Sequence, residues 1–407
     1  MSATGALDRL IGIPAERFAA ENWGRTPLLT RTADNEAAGL ERLFDNAAAD
    51  ELLSRRGLRT PFLRVAKNGT TFAAKEFTTP GGVGAEIGDQ VNDTRLTELF
   101  ADGATLVLQA LHRTWEPIRA FAAELAADLG HPVQVNAYIT PAQSTGFSDH
   151  YDVHDVFVVQ VAGTKTWRIR PPVLTAPLRS QPWDGRREAV RATAEEPALI
   201  EATLHPGDTL YLPRGFIHAA TACGEVSTHL TIGVHTWTGH HLAEQLLAYA
   251  AEQALDDPTV RASLPLGIDL GRVDAAADPA LTAAVEGARA ALIRALAQAP
   301  VEAVLAPLAA AHRRGTRPDP LGPIAAVAAA ATLTPSTRLE LRAHLAPTLA
   351  ERGEELVLDS RAGSRVIDAE EAEAVRAFVT SGAATAGALG LDLARRLVHA
   401  GVAEVVP

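Results

Sequence analysis

The stretch Asp149-His150-Tyr151-Asp152-Val153-His154-Asp155-Val156-Phe157-Val158-Val159-Gln160 decides the fold. Its second half is an aromatic and β-branched run of the kind that fills a buried strand. Its first half carries His-x-Asp. On a strand, alternate side chains share a face, so His150 and Asp152 point into one cavity as a neutral nitrogen donor and an anionic oxygen donor. Two histidines and one carboxylate on one face of a metal, with the other positions open, are the donor set of non-haem Fe(II) oxygenases. The third ligand must come from another strand. His218 ends Leu210-Tyr211-Leu212-Pro213-Arg214-Gly215-Phe216-Ile217-His218, which follows a Pro206-Gly207-Asp208 turn, and is suitably placed. His154 extends the same strand face. Three consecutive same-face residues cannot wrap one metal facially, so His154 reads as a pocket-rim residue able to touch substrate. A lone His-x-Asp arises by chance in many chains; its neighbours give it weight here.

Outward from this stretch, residues 133–237 carry short β-branched runs (133–140, 156–161, 166–169, 209–212 and 228–234) separated by Gly and Pro turn signals, the pattern of a sandwich or barrel. Residues 13–31 read as a short amphipathic helix and an extended segment. After residue 239, apolar residues recur at helical spacing through 240–255, 281–299 and 301–314. A Pro-rich break at 318–323 precedes a tail in which short helices and strands alternate. The layout is therefore a β-rich domain over 1–238, a helical region over 239–337 and a small α+β domain over 338–407.

The 407 residues are 47% hydrophobic and 21% charged with a net charge of −12. That profile is globular, and an acidic balance argues against a partner that is itself a polyanion, nucleic acid or anionic membrane. Cys223 is the single cysteine, so neither an internal disulfide nor a Cys-rich zinc site is available. No apolar run reaches the ~20 residues that cross a bilayer, and residues 1–13 lack signal-peptide character. The expected compartment is the cytoplasm. Only three of 37 basic residues are lysines, Lys67, Lys75 and Lys165, so each is informative.

The motifs occur in a telling order. Asn136-Ala137-Tyr138-Ile139-Thr140-Pro141, His150 to Gln160, Gly163-Thr164-Lys165-Thr166-Trp167-Arg168 and Leu210 to His218 resemble the JmjC-type cupin ribosomal oxygenases. That group includes bacterial ribosomal-protein arginine hydroxylases and human ribosomal-protein histidine hydroxylases. Trp23-Gly24-Arg25-Thr26-Pro27-Leu28-Leu29 resembles the family's N-terminal signature. The resemblance is dense over residues 15–237 and looser beyond. It implies a double-stranded β-helix, then a helical dimerisation region and a winged-helix-like C-terminal domain. It implies that His150, Asp152 and His218 ligate Fe(II), with 2-oxoglutarate and O2 as cosubstrates. Lys165 sits where the family pairs a basic residue with the distal carboxylate of 2-oxoglutarate. Asn136 and Tyr138 match positions lining that pocket, and His229 matches one near the active site, where it touches substrate or an ordered water, or else serves the core. Two features depart from the family: Gly233 stands where serine is common, and the loop over 142–148 is this chain's own.

The expected function is hydroxylation of an amino-acid side chain on a ribosomal or other protein, by a homodimer without direct nucleic-acid or membrane binding. N-methyl demethylation and oxidation of a small molecule or peptide natural product use the same chemistry and stay open. So does a non-catalytic cupin scaffold, against which the intact ligand triad argues. A zinc hydrolase or metal-storage cupin leaves Lys165 unexplained. The tail's winged-helix texture invites a DNA-binding reading, but residues 369–379 are acidic and residues 389–400 hold only Arg395 and Arg396 as fixed cations. A packing or protein-interaction role fits better.

Overall fold

The computed structural model describes residues 5–35, 39–67, 69–142, 144, 148–267, 269–271 and 278–406. The chain forms two compact units, Met1–Thr236 and Trp237–Pro407.

In the first unit the strands are β1 (Leu28–Thr30), β2 (Leu63–Lys67), β3 (Thr70–Thr71), β4 (Thr78–Thr79), β5 (Gln90–Val91), β6 (Thr105–Leu108), β7 (Val133–Thr140), β8 (Asp155–Ala162), β9 (Lys165–Arg170), β10 (Ile200–Leu204), β11 (Thr209–Leu212), β12 (Ile217–Ala222) and β13 (Ser227–Val234). An eight-stranded antiparallel sheet runs β1-β11-β8-β13-β7-β6-β2-β3, and a three-stranded antiparallel sheet runs β10-β9-β12. Residues of both sheets line one cavity.

The apolar run in β8 is continuous because both its faces are covered. Phe157, Val159 and Val161 join the core shared with Phe18, Leu40 and Phe121, whereas Val156 and Val158 pack with Trp167, Leu210 and Leu212. Between β8 and β9 the chain crosses from one sheet to the other at Gly163. Its φ is +58°, and a Cβ there would lie 2.2 Å from the Val226 carbonyl oxygen, so only glycine fits the corner.

The N-terminal Trp23-Gly24 signature has a structural cause. The Gly24 N–H donates to the Tyr211 hydroxyl at 2.8 Å, which donates to Asp155 at 2.7 Å. Asp155 also accepts from the Arg214 backbone N–H at 3.1 Å and its guanidinium at 3.2 Å. Trp23 stacks on the Tyr211 ring. Burial and the Asp155 charge push the Tyr211 hydroxyl well above its ordinary pKa, so it stays a donor. Asp155 is fully buried. Replacing it with alanine leaves Arg214 uncompensated, and the expected loss is roughly 3–5 kcal/mol in chemical denaturation. An unchanged midpoint would remove this network from the account of stability.

Strand β8 begins at Asp155, not at His150 as the alternation predicts. His150 and His218 instead exchange a reciprocal pair of backbone hydrogen bonds as an isolated bridge. The Gly215 N–H donates to the Asp152 carbonyl at 3.0 Å. Tyr151 is buried with Val190 and Ile217, and its hydroxyl donates to the Gln181 carbonyl at 2.9 Å. The loop thus keeps the strand-like separation of Tyr151 from its neighbours without extending the sheet.

In the second unit, helices Gly239–Gln253, Pro279–Ala297, Val301–Gly315 and Pro323–Ala331 lead into β14 (Arg338–Leu341), β15 (Thr348–Arg352), β16 (Glu355–Ser360), β17 (Gly363–Ile367), β18 (Ala383–Thr385) and β19 (Ala403–Val405). Two three-stranded sheets, β18-β14-β19 and β15-β16-β17, share a core with helices Ala372–Ser381 and Leu391–His399. Ala330 and Leu333 belong to that same core. No single helix among the described residues is long and apolar enough to cross a membrane, although the bent pair Pro279–Ala297 and Val301–Gly315 passes by length and composition.

Candidate metal centre

His150, Asp152 and His218 each offer a donor atom, and the three atoms lie within 4.8 Å of one another. His218 Nε2 is 3.7 Å from an Asp152 oxygen, and the two imidazole centroids are 4.4 Å apart. The second nitrogens are already engaged. His150 Nδ1 meets the Ser148 carbonyl at 2.8 Å, and His218 Nδ1 meets the Phe216 carbonyl at 3.0 Å. A carbonyl only accepts, so each Nδ1 carries a proton and each Nε2 is the atom left to meet a metal. That is how second partners orient ligating histidines.

The electrostatics agree. Burial and the neighbouring His150 pull His218 down to about 4, so it is neutral at physiological pH. Burial works to raise the Asp152 carboxyl, but His218, His150, His154 and Arg64 together hold it below its ordinary value. Two imidazoles and one carboxylate fit a divalent cation such as Fe(II).

Beyond these ligands lies a cavity of about 80 Å³. Tyr138, Lys165, Trp167, His229 and Thr231 form its wall. Lys165 is 3% exposed, and its ammonium donates to the Thr140 hydroxyl at 3.0 Å. Burial pulls it down to about 7. His229 stacks flat on Tyr138 and lies edge-on to Trp167. Burial and the nearby Lys165 charge keep His229 neutral. Burial raises the Tyr138 hydroxyl, which is hydrogen-bonded to Arg64.

Asn136 and His154 lie outside this wall. The Asn136 side-chain oxygen accepts the Ala110 N–H at 3.0 Å, where Ala110 adopts a φ of +57°. His154 packs against His235, and its Cε1 comes within 3.2 Å of where a Gly233 Cβ would sit. A Cβ at Gly233 would thus be crowded by His154 and, at 3.3 Å, by Gln134. Part of the loop over 142–148, namely Gln143 and residues 145–147, lies outside the described residues. Arg64 and Thr140 escape the sequence reading. Arg64 stands 86 positions before His150 on β2, where a single cation between Leu63 and Val65 was the available signal.

Residues 113–242 match the family model for the JmjC domain. The chain carries a JmjC domain. All three triad residues and Lys165 fall inside the JmjC match. Ribosomal oxygenase 1 of Gallus gallus is 31% identical over 268 residues, covering 64% of this chain and 42% of that protein. The Homo sapiens protein of the same name is 30% identical over 306 residues, covering 72% and 44%. The chain thus spans under half the length of these curated relatives. The Culex quinquefasciatus bifunctional lysine-specific demethylase and histidyl-hydroxylase NO66 is 38% identical over 128 residues, covering 30% of this chain and 19% of that protein. Among solved structures, Escherichia coli YcfD aligns over 97% of this chain and 98% of its own with a TM-score of 0.54 at 16% identity. YcfD, a ribosomal oxygenase, has also been solved with cobalt and 2-oxoglutarate; that structure aligns over 98% of this chain and 99% of its own, with a TM-score of 0.51 and 16% identity. At that identity the likeness establishes the shared JmjC/cupin fold.

Proposed function

We propose that this chain is an Fe(II)- and 2-oxoglutarate-dependent oxygenase that hydroxylates an amino-acid side chain on a ribosomal or other protein. The observation that carries the reading is the pairing of two elements in one cavity: a His-Asp-His donor set whose imidazoles are oriented through Nδ1, and a buried lysine deeper in. Fe(II) with 2-oxoglutarate and O2 supplies oxidative decarboxylation to succinate and CO2 and puts one oxygen atom into a substrate C–H bond. His150, Asp152 and His218 would hold the metal. Lys165 pairs with the distal carboxylate as a buried point charge. The Tyr138 hydroxyl borders the cosubstrate, and Asn136, on the same strand, holds the Ala110 N–H outside that wall. The stacked, neutral His229 excludes water from the cavity, and His154 borders the path of the substrate.

The names of the relatives support a protein substrate, and they also give N-methyl demethylation a specific standing as the second reading. Purified ribosomal proteins incubated with enzyme, Fe(II), 2-oxoglutarate and O2 should gain about 16 Da relative to a His150→Ala control, the mass of one inserted oxygen atom. Formaldehyde release from methylated peptides without that gain would favour the demethylase.

The remaining assignments belong to the same reading. The helices over 239–337 form a homodimer interface; Leu247, Val285, Ile293, Val301 and Leu305 on these helices are exposed. The region from 338 is a winged-helix-like domain that packs or binds protein rather than nucleic acid. The compartment is the cytoplasm.

A further inference from the structure

We infer that the indole N–H of Trp167 donates to the distal carboxylate of 2-oxoglutarate beside Lys165, an assignment that rests on the oxygenase reading above. Strand β9 alternates, with Lys165, Trp167 and Ile169 buried on one face. The register against β12 sets their depth. Ile169 lies opposite His218, Trp167 opposite Ala220, and Lys165 opposite Ala222. Trp167 therefore stands one strand step below the metal ligand and one step above the lysine. Across from it Ala220 is too small to fill the space.

The Trp167 ring is 5% exposed, and its Nε1–H is buried with no acceptor among the described residues. Buried indole N–H groups nearly always find a partner, so an orphaned one in a cavity wall points to a ligand. The ring is also fixed in place. It meets His229 edge-on at 5.2 Å and 85°, lies 6.1 Å from His218, and packs with Val158 and Leu212. Among the described residues lining the cavity, Asp152 is the single carboxylate, and it belongs to the metal. Lys165 and Trp167 thus line a space furnished with donors and lacking an anion. A five-carbon diacid chelated at the metal end brings one.

The test uses the full chain loaded with Mn(II), which binds oxygen-rich ligands without turnover, and isothermal calorimetry. Two ligands are compared: 2-oxoglutarate, and 2-oxobutyrate, which keeps the chelating end but lacks the distal carboxylate. Trp167→Phe keeps most of the ring volume and removes the donor. Site-specific 3-benzothienylalanine at 167 keeps the bicyclic shape and also removes it, which guards against a repacking artefact. Both variants should weaken 2-oxoglutarate roughly 10- to 100-fold, the value of a hydrogen bond to a charged group, and leave 2-oxobutyrate unchanged. Unchanged 2-oxoglutarate affinity in the benzothienyl variant overturns the assignment, as does an equal loss for both acids. A wild-type protein that binds neither acid sinks the oxygenase reading, and this assignment with it.

Discussion

Asp152→Ala should lose metal binding while keeping its fold. Asp152 sits in the 149–154 loop rather than in a strand, and its side chain is one-third exposed, so its removal leaves no buried cavity. Without ligand, the variant should melt within a few degrees of wild type. What it lacks is the one anionic donor beside two imidazoles. Loss of an outer partner of a metal ligand already weakens binding by roughly 10- to 100-fold, so loss of the charged ligand itself should exceed ~100-fold. Wild type should therefore gain thermal stability on adding Fe(II) or Mn(II) anaerobically, following the mass-action stabilisation of a ligand that binds the native state alone. The variant should gain none, and its succinate production should fall to background. Differential scanning fluorimetry with and without metal reads the first effect, and a succinate assay the second. A variant that melts with wild type, responds to metal like wild type and turns over would remove the assigned site. Asp152→Asn separates charge from shape: it keeps an oxygen donor, so a partial metal response there locates the effect in the charge.

Much of this centre is legible in the residues alone. His150, Asp152 and His218 stand in the sequence as donor types at strand-compatible positions, and β-branched runs announce strands wherever both faces are buried. The errors share a cause. Alternation predicts a strand through His150, but the loop is set by bonds that local pattern does not encode: the reciprocal pair with His218, the Gly215 N–H on Asp152 and the burial of Tyr151 against Val190. The same holds for Arg64 on β2 and Thr140 on β7, which bond the cavity residues Tyr138 and Lys165 through the packing of strands far apart in sequence. Antiparallel neighbours far apart in sequence are fixed by packing, not by local propensity. Asn136 illustrates the converse. Its position on β7 is as expected, yet its oxygen serves a backbone N–H of Ala110, whose left-handed conformation no composition or spacing announces.

Lys165→Met should move stability and cosubstrate affinity in opposite directions, an outcome a merely structural lysine cannot give. The ammonium is almost wholly buried, and the partner it shows is a neutral hydroxyl. Burial pulls it from 10.5 to about 7. Below pH 7 both folded and unfolded chains carry the proton, and the penalty of burying the charge is present in full. Between 7 and 10.5 the unfolded chain holds a proton that the folded chain has released, so wild-type stability rises with pH through that window. Above 10.5 both are neutral and the penalty is gone. Methionine fills a similar volume without charge. Each tenfold weakening of proton affinity on folding corresponds to ~1.4 kcal/mol. The apo variant should thus be more stable than wild type at pH 6.5 by roughly 2–4 kcal/mol, after subtracting the lost Thr140 hydrogen bond. The gain should shrink steadily toward pH 10. Affinity for 2-oxoglutarate should fall by roughly 100-fold or more, because truncating one partner of a buried charge pair leaves the other desolvated and alone. A carboxylate arriving beside Lys165 also restores its charge, so wild-type binding near pH 8 should take up a proton, visible as a buffer-dependent heat in calorimetry. The variant should take up none. A Lys165→Met protein that is destabilised at pH 6.5, or that binds 2-oxoglutarate like wild type, would show that this lysine is held in the core for packing and would leave the cavity without its anion-binding end.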